Sequence, residues 1–277
     1  MSSPENTSTP ARVVVVGASS GLGRCVATAL GQRGDKVALL ARRKDRLDAA
    51  AEEAGPDAFA VTCDVTDQES VRAAIAEAAA TLGGIDALVY ASGVGHLGKL
   101  IDVSPEDWSR QFATNVIGAA LATGAAIPYL EESAGVCLYF TSVSASMSEP
   151  WPGLGSYAAS KAALDKMVEG WRSEYTHLGF TRVIIGDCGG GEGDSMVGFT
   201  SDWDADAAGE VVPIWIERNL ITGALMDVEE LIRAVDTVIR VGSTATIPSV
   251  TVMPRRPKAG DAMTPDEMAA AHEAAQA

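Results

Sequence analysis

Arg12-Val13-Val14-Val15-Val16-Gly17-Ala18-Ser19-Ser20-Gly21-Leu22-Gly23 decides the fold. Its first five residues form a short β-branched run, the pattern of a strand buried on both faces. Gly17 ends that run. From Gly21 onward Leu22, Val26 and Leu30 share one stripe, which predicts a helix. A glycine-rich turn between a buried strand and a helix start offers backbone N–H groups and the positive end of a helix dipole to a phosphate. The glycines let the chain turn sharply and let a ligand approach the backbone. The spacing is G-x-x-x-G-x-G, which differs from the G-x-G-x-x-G dinucleotide fingerprint. A plain tight connection has the same form, but the position after a buried strand favours nucleotide binding through Gly17, Ser19, Ser20, Gly21, Leu22 and Gly23.

Strand and helix patterns alternate outward from this unit. Val37–Leu40, Phe59–Val61, Ala87–Tyr90, Val136–Phe140, Arg182–Ile185 and Ser249–Met253 read as further strands. Lys44–Ala54, Ser156–Leu178 and Asp227–Arg240 read as helices. Thr66-Asp67-Gln68-Glu69 has the form of a capping box before Val71, Ile75 and Leu82. Ser104-Pro105 opens another helix with Pro at its first position. Such alternation predicts a doubly wound α/β fold, a Rossmann-like parallel sheet in three α/β/α layers, as a single domain over residues 11–255. Residues 1–10 read as a flexible N-terminus and 256–277 as a C-terminal tail. The stretch 187–226 reads as irregular, and a segment of that length is usually functional or mobile. About 189–226 is expected to form a lid, with Met196, Phe199, Trp203, Trp215 and Ile216, together with Trp151, as a hinged apolar wall.

The chain has 277 residues, 47% of them hydrophobic and only 5% aromatic, enough for one large core of small residues. Its net charge of −16 argues against nucleic acid or an anionic membrane as partner. No apolar run of membrane-crossing length is expected, and the polar start carries no signal pattern, so the expected location is cytoplasmic. Cys25, Cys63, Cys137 and Cys188 form no C-x-x-C pair and read as reduced thiols. His96, His177 and His272 are too scattered for a metal cluster, so no metal is expected.

About 20 residues past the glycine loop, an acid would suit the ribose hydroxyl of NAD and an arginine the 2′-phosphate of NADP. The chain reads Leu40-Ala41-Arg42-Arg43-Lys44. Cations at a helix start are disfavoured without an anion to bind, so Arg42 and Arg43 favour NADP(H). NAD(H) is the alternative, with both arginines merely solvated. Farther on, Tyr157 and Lys161 stand one helical turn apart. An ammonium there would favour the phenolate of a Tyr that ordinarily titrates near ~10. A shift of about three units corresponds to roughly 4 kcal/mol. A surface Tyr beside a solvated Lys gives the same pattern.

Taken together, the glycine motif, Asp64-Val65, Asn115, Ser142 and Tyr157-x-x-x-Lys161 resemble the short-chain dehydrogenase/reductase family in order and near-family spacing, over about residues 11–255. The resemblance implies that Tyr157 gives a proton to a carbonyl oxygen as hydride arrives, or takes it back in the reverse direction. Lys161 would lower the Tyr157 pKa and contact the nicotinamide ribose. Ser142 would orient the substrate oxygen, with Ser144 as the alternative. Asn115 would hold a water that links Lys161 to solvent. Asp64 would bind the adenine amino group beside Val65, while Ala91, Ser92, Gly93 and Gly189 would line the cofactor cleft. Departures stand out: Val16 before the first glycine, Tyr90-Ala91-Ser92-Gly93 where the family has Asn-Asn-Ala-Gly, and Cys188-Gly189 for Pro-Gly. The expected activity is interconversion of a neutral, fairly apolar ketone or aldehyde with an alcohol, in a homodimer or homotetramer. A nucleotide-sensing regulator without turnover is the competing class.

Overall fold

The protein is described from a computed structural model covering residues 9–189, 203–218, 220 and 225–255. Most of the expected flexible N-terminus, much of the expected lid (Met196 and Phe199 included) and the 256–277 tail lie outside the described residues.

β1 (Arg12–Val16) shows why a sheet forms here. Val13 and Val15 face one helical layer, Val14 and Val16 the other, and none of the four exceeds 1% exposure. Apolar side chains on both faces suit only a strand covered from both sides. The other strands are β2 (Lys36–Ala41), β3 (Ala58–Thr62), β4 (Ala87–Tyr90), β5 (Val136–Ser142), β6 (Gly179–Ile185), β7 (Cys188–Gly189), β8 (Met226–Asp227) and β9 (Ser249–Val252). Seven of them form one parallel sheet in the order β3-β2-β1-β4-β5-β6-β9, and β7 pairs with β8 separately.

α1 (Gly21–Gln32), α2 (Lys44–Ala54) and a late helix cover one face; α3 (Gln68–Leu82) and two further helices cover the other. On the first face Val26, Leu30 and Leu47 meet Val13, Val15 and Leu39. On the second Val71 and Ile75 meet Val14, Val16 and Leu40. Each side chain of this size contributes ~1.5–3 kcal/mol when fully buried. The start of α3 differs by one residue from the expected capping box. Asp67 is the cap, accepting from Glu69 N at 2.8 Å and Ser70 N at 3.1 Å, because Thr66 is engaged by Asp64. α4 (Pro105–Phe112) is capped by Ser104 as expected, with Asp107 N donating to its Oγ at 3.0 Å.

α4 runs through a π-helical turn, Ala113–Ile117, into α5 (Gly118–Ser133). Among the described residues this stretch, Pro105–Ser133, is long and apolar enough to cross a membrane by length and composition, which the sequence reading did not anticipate. Its inward residues Ala119, Ala122, Ala126 and Leu130 belong to the core. α6 (Val143–Ser146) is a single turn, and α7 (Gly155–Glu174) stops four residues short of the expected Leu178. The stretch expected to be irregular contains β7, β8 and a further helix, α8 (Ala205–Glu217), capped by Asp204. α9 (Val228–Ile239) completes the first layer.

β1 and β4 lie side by side, with Val16 level with Tyr90, where the strand order reverses. In such a sheet the crevice beyond the strands' carboxyl ends is the place for a ligand.

Candidate active site

The glycine loop lies at that reversal. Gly17 takes φ +93°, and a Cβ there would stand 2.5 Å from Ser92 N. A Cβ on Gly23 would stand 2.4 Å from Gly17 O and 3.0 Å from the Ala91 methyl. Only hydrogen fits at either position, so loop and Ala91-Ser92 segment lie backbone against backbone. Ala91 N donates to Val16 O at 2.8 Å and Gly17 N to Leu40 O at 2.7 Å. α1 begins behind Ser20, which gives it no side-chain cap, and its first turn holds no acid. The opening amides of a helix have no partners within it, so this start suits an incoming phosphate.

Arg43 Nη2 donates to Ser19 Oγ at 3.1 Å and Ser20 Oγ at 2.7 Å, holding a guanidinium at the loop. Arg42 instead exerts its field on Asp64. Asp64 is held below the ordinary carboxylate range, first by the Thr66 amide and then by the Thr66 hydroxyl; both bonds go to Oδ1. Val65 beside it is buried. Gly189 pairs with Asp227 in the β7–β8 ribbon.

Asn115, Ser142, Tyr157 and Lys161 come from three elements. Asn115 occupies the π-helical turn, a distortion that often marks a functional residue, and is fully buried. It accepts from Val94 N at 2.9 Å, and its Nδ2 donates to Val94 O at 2.9 Å and Ser160 Oγ at 2.8 Å. The unusual Tyr90 supports that turn: its hydroxyl donates to Thr114 O at 2.6 Å. Gly118 makes room, since a Cβ there would meet the Tyr90 hydroxyl at 2.6 Å. Ser142 ends β5, with its hydroxyl 2.9 Å from that of Ser144 and hydrogen-bonded towards Tyr157. Lys161, 4% exposed, donates to Phe140 O at 2.8 Å and lies 5.8 Å from the Tyr157 ring centroid. A Cβ on Gly93 would come within 3.2 Å of Lys161 Nζ and 3.6 Å of Asn115 Oδ1, so the Gly93 backbone closes the group.

The electrostatics differ from the expectation that Lys161 pulls the phenol down. Burial pushes the Tyr157 phenol up, and the Ser142 hydroxyl is the group that opposes it. A low-dielectric site disfavours the phenolate, and Lys161 directs its N–H at the Phe140 carbonyl. Lys161 is itself lowered to about 8, chiefly by burial, with Asp165 working against the shift. A buried phenol that keeps its proton thus lies beside a buried lysine whose pKa is lowered to about 8.

Several supporting groups left no readable sign in the sequence. Gln111 Nε2 donates to Ser156 Oγ at 3.0 Å, joining α4 to the start of α7 across 45 residues. Ser160 could have been picked out only by helical spacing from Tyr157, whose carbonyl it bonds at 2.7 Å. Over this end of α7, Trp215 is 4% exposed and its Nε1 donates to Pro152 O at 2.7 Å. It meets Trp151 and Trp203 edge-on, at 5.3 Å and 6.0 Å between ring centroids. With Leu97 and Val211 these rings form a third, small core that fixes α8 over the segment leading into Tyr157. The described part of the expected apolar wall is thus largely packed upon itself.

The chain matches the short chain dehydrogenase family over residues 11–200, and it belongs to that family of nicotinamide-dependent oxidoreductases. A short chain dehydrogenase of Pseudocercospora fijiensis is 35% identical over 173 residues, 60% of this chain and 55% of the relative. An uncharacterized oxidoreductase of Staphylococcus aureus is 33% identical over 168 residues, 60% of this chain and 72% of the relative. The chain therefore matches little more than half the length of the fungal relative. Among solved structures, an alcohol dehydrogenase of Thermococcus sibiricus complexed with 5-hydroxy-NADP superposes with a TM-score of 0.74 at 22% identity, over 89% of this chain and 98% of that one. The closed form of a serine dehydrogenase complexed with NADP+ gives 0.74 at 25% identity, over 87% and 94%.

Proposed function

We propose that the protein is an NADP(H)-dependent oxidoreductase that interconverts a neutral, fairly apolar ketone or aldehyde with the corresponding alcohol, with Tyr157 as proton donor and acceptor. The observation that carries this reading is the grouping of Tyr157, Ser142, Lys161 and Asn115 beside the Gly17–Gly23 loop. The loop fits a dinucleotide because Gly17 and Gly23 leave no room for a Cβ and α1 begins without a side-chain cap. When bound, the nicotinamide supplies or accepts the hydride.

The chain's own residues do the rest. The uncapped start of α1 and Arg43 hold phosphate, and Arg43 supports NADP over NAD because its guanidinium already stands at Ser19 and Ser20. Ser142 donates to the substrate oxygen and fixes its direction towards Tyr157. The Tyr157 hydroxyl, kept protonated by burial, hands its proton to that oxygen as negative charge grows there. Lys161 steadies the phenolate that remains, and Asn115 holds the Val94 backbone over the site. The reverse direction runs the same proton transfer backwards. The apolar cluster of Trp151, Trp203 and Trp215 over the segment leading into Tyr157 supports an uncharged, apolar substrate. Assembly as a homodimer or homotetramer and a cytoplasmic location belong to the same proposal.

The test is a panel of ketones and secondary alcohols with each reduced or oxidised cofactor, followed by nicotinamide absorbance. Ketone-dependent consumption of NADPH, faster than of NADH, is expected. Consumption of neither cofactor with any member of the panel would overturn the reading.

A further inference from the structure

One helical turn beyond Lys161, α7 buries a second charged side chain. Asp165 is 5% exposed, yet no well-formed hydrogen bond closes on either carboxylate oxygen, and the donors that act on it are two hydroxyls, those of Thr141 and Ser146. Arg182 Nε from β6 is buried without a partner as well, and Thr141 Oγ1 from β5 has no well-formed bond beyond its weak approach to Asp165. Buried polar atoms in folded proteins are nearly always bonded, so each exception calls for an explanation.

An ion pair tying α7 to β6 is the simplest one, and its geometry is poor. Arg182 Nη1 stands 4.0 Å from Asp165 Oδ2 and has a nearer partner in Glu169, at 3.4 Å. The remaining groups around Asp165 are the hydroxyls of Thr141 and of Ser146 on α6, and the charges of Lys161 and Arg172 on α7. Among the described residues, the groups that close on Lys161 are neutral: the Phe140 carbonyl, the Tyr157 ring, the Gly93 backbone and the Asn115 amide. A buried ammonium without a counter-charge tends to lose its proton.

We propose that Asp165 is a positioning residue that acts through Lys161: its carboxylate, buried and underbonded, is the counter-charge that keeps the lysine an ammonium. This inference rests on the roles given above to Lys161 and Tyr157. In line with it, Asp165 raises the Lys161 pKa against the burial that lowers it to about 8. The converse also holds: burial raises Asp165, while Arg182 and, more weakly, Lys161 lower it.

The full chain labelled with ¹³C-lysine tests this without cofactor or substrate. The Lys161 signal is assigned by its loss in Lys161→Met and titrated in wild type, Asp165→Asn and Arg182→Gln. Asp165→Asn should lower the Lys161 midpoint by about one pH unit, and Arg182→Gln should raise it, because a competing cation is gone. A purely structural ion pair would lower the melting temperature in both variants and leave the midpoint in place. An unmoved midpoint, or one that moves in the same direction in both, overturns the proposal. If Asp165→Asn fails to fold, Arg182→Gln decides alone: a fall or no change sinks it. In turnover, the alkaline limb should move with the titration in each variant. If Lys161 titrates as expected while the Tyr157→Phe variant retains full turnover, the functional reading fails and the charge pairing stands.

Discussion

Replacing Arg43 by Ala removes a guanidinium that bonds the glycine loop, at 3.1 Å to Ser19 Oγ and 2.7 Å to Ser20 Oγ. Under the proposed function that group meets the 2′-phosphate of NADP. A hydrogen bond to a charged partner is worth ~1.5–3 kcal/mol net. Arg43 is exposed, so the lower end applies, and about 1.5 kcal/mol corresponds to about a tenfold loss of affinity. NAD lacks the phosphate and should bind nearly as before, so the preference collapses rather than the affinity as a whole. Arg42→Ala should do less, because the field of Arg42 falls on Asp64. Calorimetric titration of both cofactors into the three proteins at low salt measures this, and added salt should shrink the Arg43 effect. A preference for NADP that is the same with and without Arg43, or one lost only with Arg42, would refute the reasoning.

The remaining predictions concern pH and packing. Ketone reduction should fall as pH rises through about 8, because Lys161 loses its ammonium there rather than near its ordinary value; an initial-rate profile checks this. Stability should respond in the opposite sense. The folded chain releases the Lys161 proton earlier than the unfolded chain, so the unfolded chain binds more protons between about 8 and the ordinary lysine value, and this residue makes stability rise with pH in that window. Denaturation midpoints of wild type and Lys161→Met across that range should therefore diverge at low pH and converge at high pH. Gly23→Ala should destabilise by about 1–3 kcal/mol, since its Cβ would meet Gly17 O at 2.4 Å and neither backbone can yield cheaply. Its melting temperature should also stop rising when NADP is added.

The sheet was readable because every strand of its centre carries apolar side chains on both faces, as Val13 to Val16 do, and each is followed by a helical stripe. The glycine loop was readable for a related reason, since close backbone contact admits only hydrogen at Gly17 and Gly23. What escaped depends on contacts between distant residues. The π-helical turn that aims Asn115 inward is propped by Tyr90, 24 residues earlier, and Gln111 meets Ser156 across 45. α8 was read as irregular because Gly209 and Pro213 lie within it, and its order comes from Trp215 packing on Trp151. The direction of the Tyr157 shift is not legible in the spacing, which shows that Lys161 is near and says nothing of how deeply both are buried. Asp165 gives no sign in the sequence, since an acid one turn past a lysine on a helix usually marks a solvated face.

Tyr157 tests the central claim most directly. With saturating NADPH and a ketone that wild type reduces, single-turnover absorbance is compared in wild type and Tyr157→Phe, a change that removes one oxygen and keeps the ring. Loss of a general acid should slow reduction by about 10²–10⁴-fold, with NADPH affinity unchanged. Reduction by Tyr157→Phe at the wild-type rate would contradict the assignment of the proton to this phenol, and with it the account of the site.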